Sequence, residues 1–309
     1  MVTIAHAPTV LSRFPVADLD LAVETRRPDG SPTLLFAHGF GQTRGAWNGA
    51  ATALADAGCR CVTFDSRGHG ESDRVPGGTD SGSADSSGGY HMDQFADDLQ
   101  RLAAAQPEPP ILVGASMGGL LGIVIAGEVR PAPFRALVLV DITPRWETAG
   151  VERILAFMQA HPDGFADYAE ASEQIAAYLP QRRERKSEEQ LRPLLREGTD
   201  GRLRWHWDPA LLAGDLVQES ERYQPLLQAA AAKIDVPVLL LSGARSDVVS
   251  RATVDEFLQL VPHARHVELS HATHMVAGDA NDAFTREVVR FVQSLDPSAD
   301  RLRAGAVQP

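Results

Sequence analysis

Short apolar runs rich in β-branched residues recur along the chain of 309 residues, and longer segments with helical spacing of apolar positions separate them. The runs typical of strands cover 19–24, 34–37, 61–65, 111–114, 136–140, 238–242 and 266–269. The helical patterns cover 47–57, 93–105, 117–128, 252–260 and 281–295. This alternation predicts an α/β fold, in which helices flank a mostly parallel sheet on both faces.

One long interval breaks this alternation. Between 143 and 233 the apolar positions follow helical spacing, and no convincing strand pattern occurs. We therefore predict a helical cap at 143–233, inserted into a core that is made of 1–142 and 234–309. The polar segments 76–89 and 297–309 lack periodicity, which predicts a flexible loop and a mobile tail.

Composition narrows the classes of partner and compartment. The net charge of −12 argues against a nucleic-acid partner, because phosphate binding needs clustered Lys and Arg. A bridge between Cys59 and Cys61 would close a strained, very small loop, so we expect two reduced thiols. The sequence shows no secretory signal and no apolar stretch long enough to span a bilayer. These features predict a cytoplasmic protein that acts on a small molecule, with no membrane partner.

The segment Gly-Ala-Ser-Met-Gly at 114–118 carries the strongest chemical signal. It lies where a predicted strand meets a predicted helix, which is the setting of the Gly-x-Ser-x-Gly nucleophile elbow. Such a turn strains the backbone of the serine and needs small residues two positions before and after it. Gly114 and Gly118 meet this need, so the Ser116 hydroxyl is expected at the tip of the turn.

Residues that could activate this serine follow other predicted strands. A serine hydroxyl is a weak nucleophile and needs a base, which an acid holds in place. Asp141 follows the predicted strand at 136–140, and Asp247 follows the one at 238–242. His271 and His274 both follow the predicted strand at 266–269. The order is therefore serine, aspartate, histidine, with two candidates for the acid and two for the base.

Further motifs occur in the order of a known superfamily. They are Phe-Ala-His-Gly-Phe at 36–40, Asp-Ser-Arg-Gly-His-Gly-Glu-Ser at 65–72, Ser-Asp-Val-Val at 246–249 and Thr-His-Met-Val-Ala-Gly-Asp at 273–279. Together with the elbow, they make nearly the whole chain resemble the α/β-hydrolase superfamily, in its cap-bearing Ser-His-Asp branch. The resemblance implies Ser116 as nucleophile, His274 as base and Asp247 as acid. Asp141 stays the alternative acid, because some members use that position.

The resemblance also implies an oxyanion hole. Its two donors would be the backbone N–H groups of Phe40 and Met117. We therefore expect a serine hydrolase that cleaves a small or medium carboxylic ester through an acyl-enzyme intermediate and needs no cofactor.

Other reactions use the same triad. A C–C bond hydrolase, a lactonase and a cofactor-free perhydrolase are the alternatives, and cap residues would decide between them. Epoxide hydrolases and haloalkane dehalogenases are disfavoured, because members of those types carry aspartate at the elbow position that Ser116 holds here. A protein that only binds a ligand is the alternative from another class, and it is disfavoured because every catalytic role has a candidate residue.

Candidate substrate-binding residues lie in the cap and near the oxyanion segment. In the cap they are Phe157, Trp205 and Trp207, whose rings either line an acyl pocket or hold the cap to the core. The second interpretation is favoured, because large rings usually serve as core. His38 and Gly39 are the candidates in the oxyanion segment. The downstream histidines form no recognisable ligand motif, so no metal is expected.

Overall fold

A computed structural model describes residues 7–17, 19–75, 89–178, 185–213, 216–279 and 281–295. The predicted flexible loop therefore lies outside the described residues apart from position 89, and the predicted tail at 297–309 lies outside them entirely.

The central element is a sheet of eight strands in the order β1-β2-β4-β3-β5-β6-β9-β10. The strands are β1 (Thr9–Val16), β2 (Leu19–Arg26), β3 (Thr33–Ala37), β4 (Arg60–Phe64), β5 (Ile111–Ala115), β6 (Ala136–Val140), β9 (Val238–Gly243) and β10 (Arg265–Leu269). The pairs β1–β2 and β2–β4 are antiparallel, and the five other pairs are parallel. The predicted mostly parallel sheet is thus confirmed.

The central strands form because their residues are apolar without interruption. Strands β3 and β6 are buried along their whole length, as expected for strands that helices cover on both faces. The sequence pattern missed β1, which is exposed along most of its length at one edge of the sheet. An edge strand needs no apolar pattern, and it tolerates Pro15, which would remove a ladder hydrogen bond from a central strand.

Helices cover both faces of the sheet. The helices outside the insertion are α1 (Asn48–Asp56), α2 (Met92–Ala104), α3 (Met117–Glu128), α8 (Arg251–Leu260), α9 (Val276–Asp279) and α10 (Asn281–Leu295). Alternate strand residues point to opposite faces. Leu35 accordingly belongs to the same apolar cluster as residues of α2, α3 and α8, whereas its neighbour Leu34 belongs to a second cluster with residues of α1 and α10. Burying one leucine side chain stabilises the fold by about 1.5–3 kcal/mol, so both layers contribute to the stability of the fold.

The insertion between β6 and β9 is called the cap below and covers residues 143–233. It contains α4 (Thr148–Gln159), α5 (Tyr168–Tyr178), α6 (Glu188–Leu191), β7 (Leu195–Glu197), β8 (Leu203–Trp205) and α7 (Leu216–Ala231). The prediction of a wholly helical cap was wrong, because β7 and β8 pair as an antiparallel hairpin. Strands of three residues with charged side chains are too short to show a period of two, so the sequence pattern missed them.

The end of the cap packs on the core. Leu227, Ala230 and Ala231 of α7 join the same apolar cluster as α3. A Cβ atom at Gly127 of α3 would lie 2.2 Å from the Ala230 carbonyl oxygen, so the two helices meet backbone to backbone.

Cys59 and Cys61 are free and buried. Burial raises the pKa of the Cys59 thiol to about 12. Within the described part of the chain, none of the helices combines the length and the apolar character that crossing a bilayer requires.

Candidate active site

Ser116 lies in a strained turn between β5 and α3. Its φ of 46° and ψ of −116° fall outside the regions that ordinary residues occupy. A Cβ atom at Gly114 would lie 2.5 Å from the Gly118 carbonyl oxygen, and one at Gly118 would lie 2.3 Å from the Ala37 carbonyl oxygen. The expected need for glycine on both sides of the serine is thus confirmed.

His274 lies in the loop after β10 and contacts a buried carboxylate. Its Nδ1 atom is 2.7 Å from Oδ2 of Asp141, whose side chain is fully buried. Because a carboxylate only accepts hydrogen bonds, Nδ1 carries a proton, and Nε2 is the ring nitrogen left to exchange one. A lone pair at Nε2 is what a general base needs.

Parallel strand ends bring these groups to one edge of the sheet. Asp141 directly follows β6, and the Ser116 N–H donates to the carbonyl oxygen of Val140 at 3.2 Å. Strands β5, β6, β9 and β10 are neighbours in this order, so the serine, the aspartates and the histidine all follow adjacent strands. Sites in sheets of this kind form at the carboxyl ends of the strands.

The turn after β9 holds the Asp141 carboxylate in place. The Gly243 N–H donates to Oδ1 at 2.8 Å, and the Ser246 hydroxyl donates to Oδ2 at 2.5 Å. Ser246 is itself fixed, because its oxygen accepts from the N–H groups of Val248 and Val249. With His274, Asp141 therefore has three donors, which compensate for the burial of a charge.

The structure does not bring Asp247, the acid favoured from the sequence, to His274. Its Oδ2 atom accepts from Arg153 of α4 at 2.5 Å, and the two side chains are 38% and 55% exposed. The reason lies in the turn, where Ser246 points inward to Asp141 and the next residue points outward to the cap. The geometry thus favours the alternative carboxylate, Asp141.

The loop after β3 lies against Ser116. A Cβ atom at Gly39 would lie 3.2 Å from the Cβ of Ser116. The Gly39 N–H donates to Oε1 of Gln42, so it is already used. In the described ranges, no hydrogen bond uses the N–H of Phe40 or that of Met117, which begins α3. These two donors are the pair that the sequence predicts for the oxyanion hole.

Gln42 joins the two loops of the site. Its Oε1 accepts from Gly39 at 3.1 Å, and its Nε2 lies 3.0 Å from the sulfur of Met275, the residue after His274. The sequence reasoning missed Gln42, because nothing local in the sequence marks a side chain that bridges segments 233 residues apart.

Two imidazoles hold the peptide groups on either side of Gly41. Its N–H donates to Nε2 of His69 at 3.1 Å, and its carbonyl oxygen accepts from Nε2 of His206 at 3.1 Å. His69 donates through Nδ1 to the Arg67 carbonyl, and His206 accepts through Nδ1 from the Gly70 N–H. Each ring uses one nitrogen as donor and the other as acceptor, so both are neutral. Burial lowers the pKa of both, that of His206 to about 3.

His38 has a structural position. Its Nε2 accepts from the Ser66 N–H at 2.9 Å, and its Nδ1 donates to the Gly39 carbonyl at 2.8 Å. The side chain is fully buried, and burial lowers its pKa. Both ring nitrogens therefore serve the backbone, which argues against the predicted contact of His38 with substrate. Gly39 is also buried, and it lies beside Ser116.

The cap covers the loop after β3, which contains the predicted oxyanion donor Phe40 and is called the oxyanion loop below, through apolar side chains. A Cβ atom at Gly41 would lie 2.7 Å from the methyl carbon of Met158 and 3.4 Å from a ring carbon of Trp207. Trp207 is 5% exposed and stacks on Trp205 with ring centroids 4.6 Å apart. Trp205 also contacts Phe157 edge to face. Trp207 thus helps to hold the cap to the core, as the favoured interpretation predicts. Among the described residues, no group of three or more His, Cys, Asp or Glu could hold a metal ion.

Comparison with known proteins agrees with this architecture. A family model of the alpha/beta hydrolase fold matches residues 32–280. The chain therefore belongs to the alpha/beta hydrolase fold family, as the sequence motifs predict.

Individual relatives agree. The 3-hydroxybutyrate-oligomer hydrolase of Cupriavidus necator is 30% identical over 259 residues, which cover 80% of this chain and 84% of that protein. The 2-(acetamidomethylene)succinate hydrolase of Mesorhizobium japonicum is 25% identical over 278 residues, covering 89% of this chain and 92% of that protein. A crystal structure of E-2-(acetamidomethylene)succinate hydrolase matches with a TM-score of 0.75 and 24% identity, over 93% of this chain and 100% of that one. These relatives are hydrolases, which supports a hydrolase of this fold.

Proposed function

We propose that the protein is a serine hydrolase that cleaves carboxylic esters through an acyl-enzyme, with Ser116, His274 and Asp141 as its triad. The observation that carries the proposal is the 2.7 Å hydrogen bond between His274 and buried Asp141. It accompanies the strained elbow at Ser116 and the unused donors of Phe40 and Met117.

Each group has one role in the proposed reaction. The Ser116 hydroxyl oxygen attacks the ester carbonyl carbon while Nε2 of His274 takes its proton. The tetrahedral oxyanion accepts hydrogen bonds from Phe40 and Met117. When the C–O bond breaks, His274 returns the proton to the leaving alcohol. His274 then deprotonates a water molecule that attacks the acyl-enzyme and releases the acid and Ser116.

The cap and one relative support this choice of substrate class. Met158 lies over Gly41, next to the proposed oxyanion donor Phe40, so an apolar side chain of the cap borders the site. The relative with 30% identity is named for the hydrolysis of 3-hydroxybutyrate oligomers, which are esters of a small hydroxy acid. Short 3-hydroxybutyrate esters are therefore the first substrates to test.

Fluorophosphonate labelling followed by intact-mass measurement tests the proposal without a known substrate. We expect a single adduct on wild type and none on Ser116→Ala. Ser12→Ala removes an exposed serine of β1 and should label as wild type does. A panel of p-nitrophenyl esters, a 3-hydroxybutyrate dimer, lactones and vinylogous diketones then separates ester cleavage from the alternatives. Folded wild type that stays unlabelled, or an equal adduct on Ser116→Ala, would overturn the triad.

A further inference from the structure

The Gly41 backbone is held by two parts of the chain that are far apart in sequence. His69, which accepts from its N–H, belongs to the core, whereas His206, which donates to its carbonyl, is a cap residue 165 positions away. Gly41 has a φ of 75°, a conformation open mainly to glycine. Since glycine has no side chain to anchor, these two imidazoles are what fix its orientation.

The position of Gly41 matters because of its neighbour. The proposed oxyanion donor is the N–H of Phe40, which shares a peptide group with the Gly39 carbonyl. His38 holds that carbonyl at 2.8 Å, so one side of Phe40 is fixed from the core. On the other side, the fixed points are the Gly41 N–H and carbonyl. The two peptide groups that flank Phe40 are thus held by His38 and His69 of the core. His206 of the cap holds the next group, whose Gln42 N–H donates to the Gly39 carbonyl at 3.0 Å.

We propose that His206 is a positioning residue for the oxyanion loop, so that the oxyanion hole is complete only when this part of the cap is seated on the core. The inference rests on the proposed function. His206 would not touch the substrate. It would act through Gly41 on the direction of the Phe40 N–H, which must point at the developing charge to be effective.

The same stretch of cap has a second attachment that leaves Gly41 untouched. The Asp208 N–H donates to the Gly68 carbonyl at 2.7 Å, and the Tyr90 hydroxyl donates to Asp208 at 2.8 Å. Tyr90→Phe therefore weakens the seating of the cap without removing a bond to the oxyanion loop, which makes it the matched control.

Two amide variants separate the two hydrogen bonds of the His206 ring, one to Gly70 and one to Gly41. The amide of His206→Asn lies near the position of Nδ1, where it can accept from Gly70 but cannot reach Gly41. The longer amide of His206→Gln places a donor near the position of Nε2, where it can bind the Gly41 carbonyl. A positioning role predicts impairment by Asn and rescue by Gln.

The experiment measures kcat and KM on p-nitrophenyl butyrate, the rate of fluorophosphonate labelling of Ser116, and the melting temperature. Loss of a whole oxyanion donor costs about 10²–10³ in kcat, so a misdirected donor in His206→Asn should cost about 10–100-fold in kcat and in labelling rate. KM should change by less than about twofold, because the interaction forms mainly in the transition state. His206→Gln and Tyr90→Phe should stay within about threefold of wild type in kcat.

Each outcome has a defined meaning. Folded His206→Asn with wild-type kcat overturns the inference, as does a loss in folded His206→Gln or in Tyr90→Phe as large as the loss in His206→Asn. If His206→Asn does not fold, the Gln and Phe variants still carry the test. Wild type without a Ser116 adduct refutes the proposed function and this inference with it, whereas labelled wild type with an unaffected His206→Asn refutes only the inference.

Discussion

The identity of the triad acid can be tested by exchanging each candidate carboxylate for an amide. Asp141→Asn keeps the shape of the side chain, and asparagine tolerates the φ of 50° at this position, so the fold should persist. The Gly243 N–H requires an acceptor at the Oδ1 position. The amide nitrogen must therefore take the place of Oδ2 and face Nδ1 of His274.

This arrangement reverses the protonation of His274. An amide N–H facing Nδ1 makes that nitrogen the acceptor and moves the ring proton to Nε2, where it opposes proton transfer from Ser116. An exchange of this kind lowers kcat by about 10⁴ in a serine protease triad, which corresponds to about 5.4 kcal/mol. We expect a loss of that order for Asp141→Asn.

Asp247→Asn is the matched variant, because it makes the same chemical change on the neighbouring turn. It removes the ion pair with Arg153, in which the Arg153 side chain is 55% exposed and the Asp247 side chain 38%. Exposed pairs contribute about 0–1 kcal/mol, so kcat should change by less than about fivefold. Steady-state kinetics on a p-nitrophenyl ester, with circular dichroism to establish folding, measure both variants. A large loss in Asp247→Asn with near-normal Asp141→Asn would refute the assignment.

Three further predictions follow from packing and buried charge. Gly118→Ala places a Cβ atom 2.3 Å from the backbone oxygen of Ala37, so the unfolding free energy from denaturant titration should fall by about 1–3 kcal/mol. Fluorophosphonate labelling should also become slower, and unchanged stability would contradict the tight elbow. Arg67→Met removes the two 2.7 Å hydrogen bonds from Arg67 to buried Asp98, and it should lower the unfolding free energy by about 3–5 kcal/mol because a buried charge loses its partner. The double variant Arg67→Met, Asp98→Leu should lose less, and an equal loss would argue against the ion pair. Burial lowers the pKa of His206 from 6.5 to about 3, so its contribution to stability is full above pH 6.5 and falls as the pH drops below it, because the unfolded chain gains a proton that the fold excludes. Between pH 3 and 6.5, the unfolding free energy from urea titrations should rise with pH by about 1.4 kcal/mol per unit less in His206→Gln than in wild type. Equal slopes would refute this.

The sequence predicted the parts of the fold that leave a local pattern. Strands β5 and β6 are apolar along their length because helices cover them on both faces, so their positions could be seen directly. The elbow was equally visible, since its serine and both glycines lie within five consecutive residues. Strand β1 and the β7–β8 hairpin leave no such pattern, because an edge strand is mostly exposed and a strand of three residues is too short.

The acid of the site depended on a detail that the sequence pattern does not hold. Asp141 and Asp247 each follow a strand, and the Ser-Asp-Val-Val motif at 246–249 favoured Asp247. What separates them is the direction of one side chain, because Ser246 points inward and Asp247 points outward. His206 was invisible for another reason, since its partner Gly41 lies 165 residues away and only the folded cap brings them together.

The buried carboxylate at Asp141 is also the last core residue but one before the cap begins. Its N–H donates to the Leu241 carbonyl, and its side chain accepts hydrogen bonds from the turn after β9. These bonds hold Asp141 on the sheet independently of the cap that follows it. A graft that exchanges the middle of the cap for that of a relative, while keeping α7 on α3, would therefore leave the acid in place. Under the proposed function, changes in the cap would then alter substrate specificity while the proposed triad stays in place, as is common for insertions on a rigid scaffold.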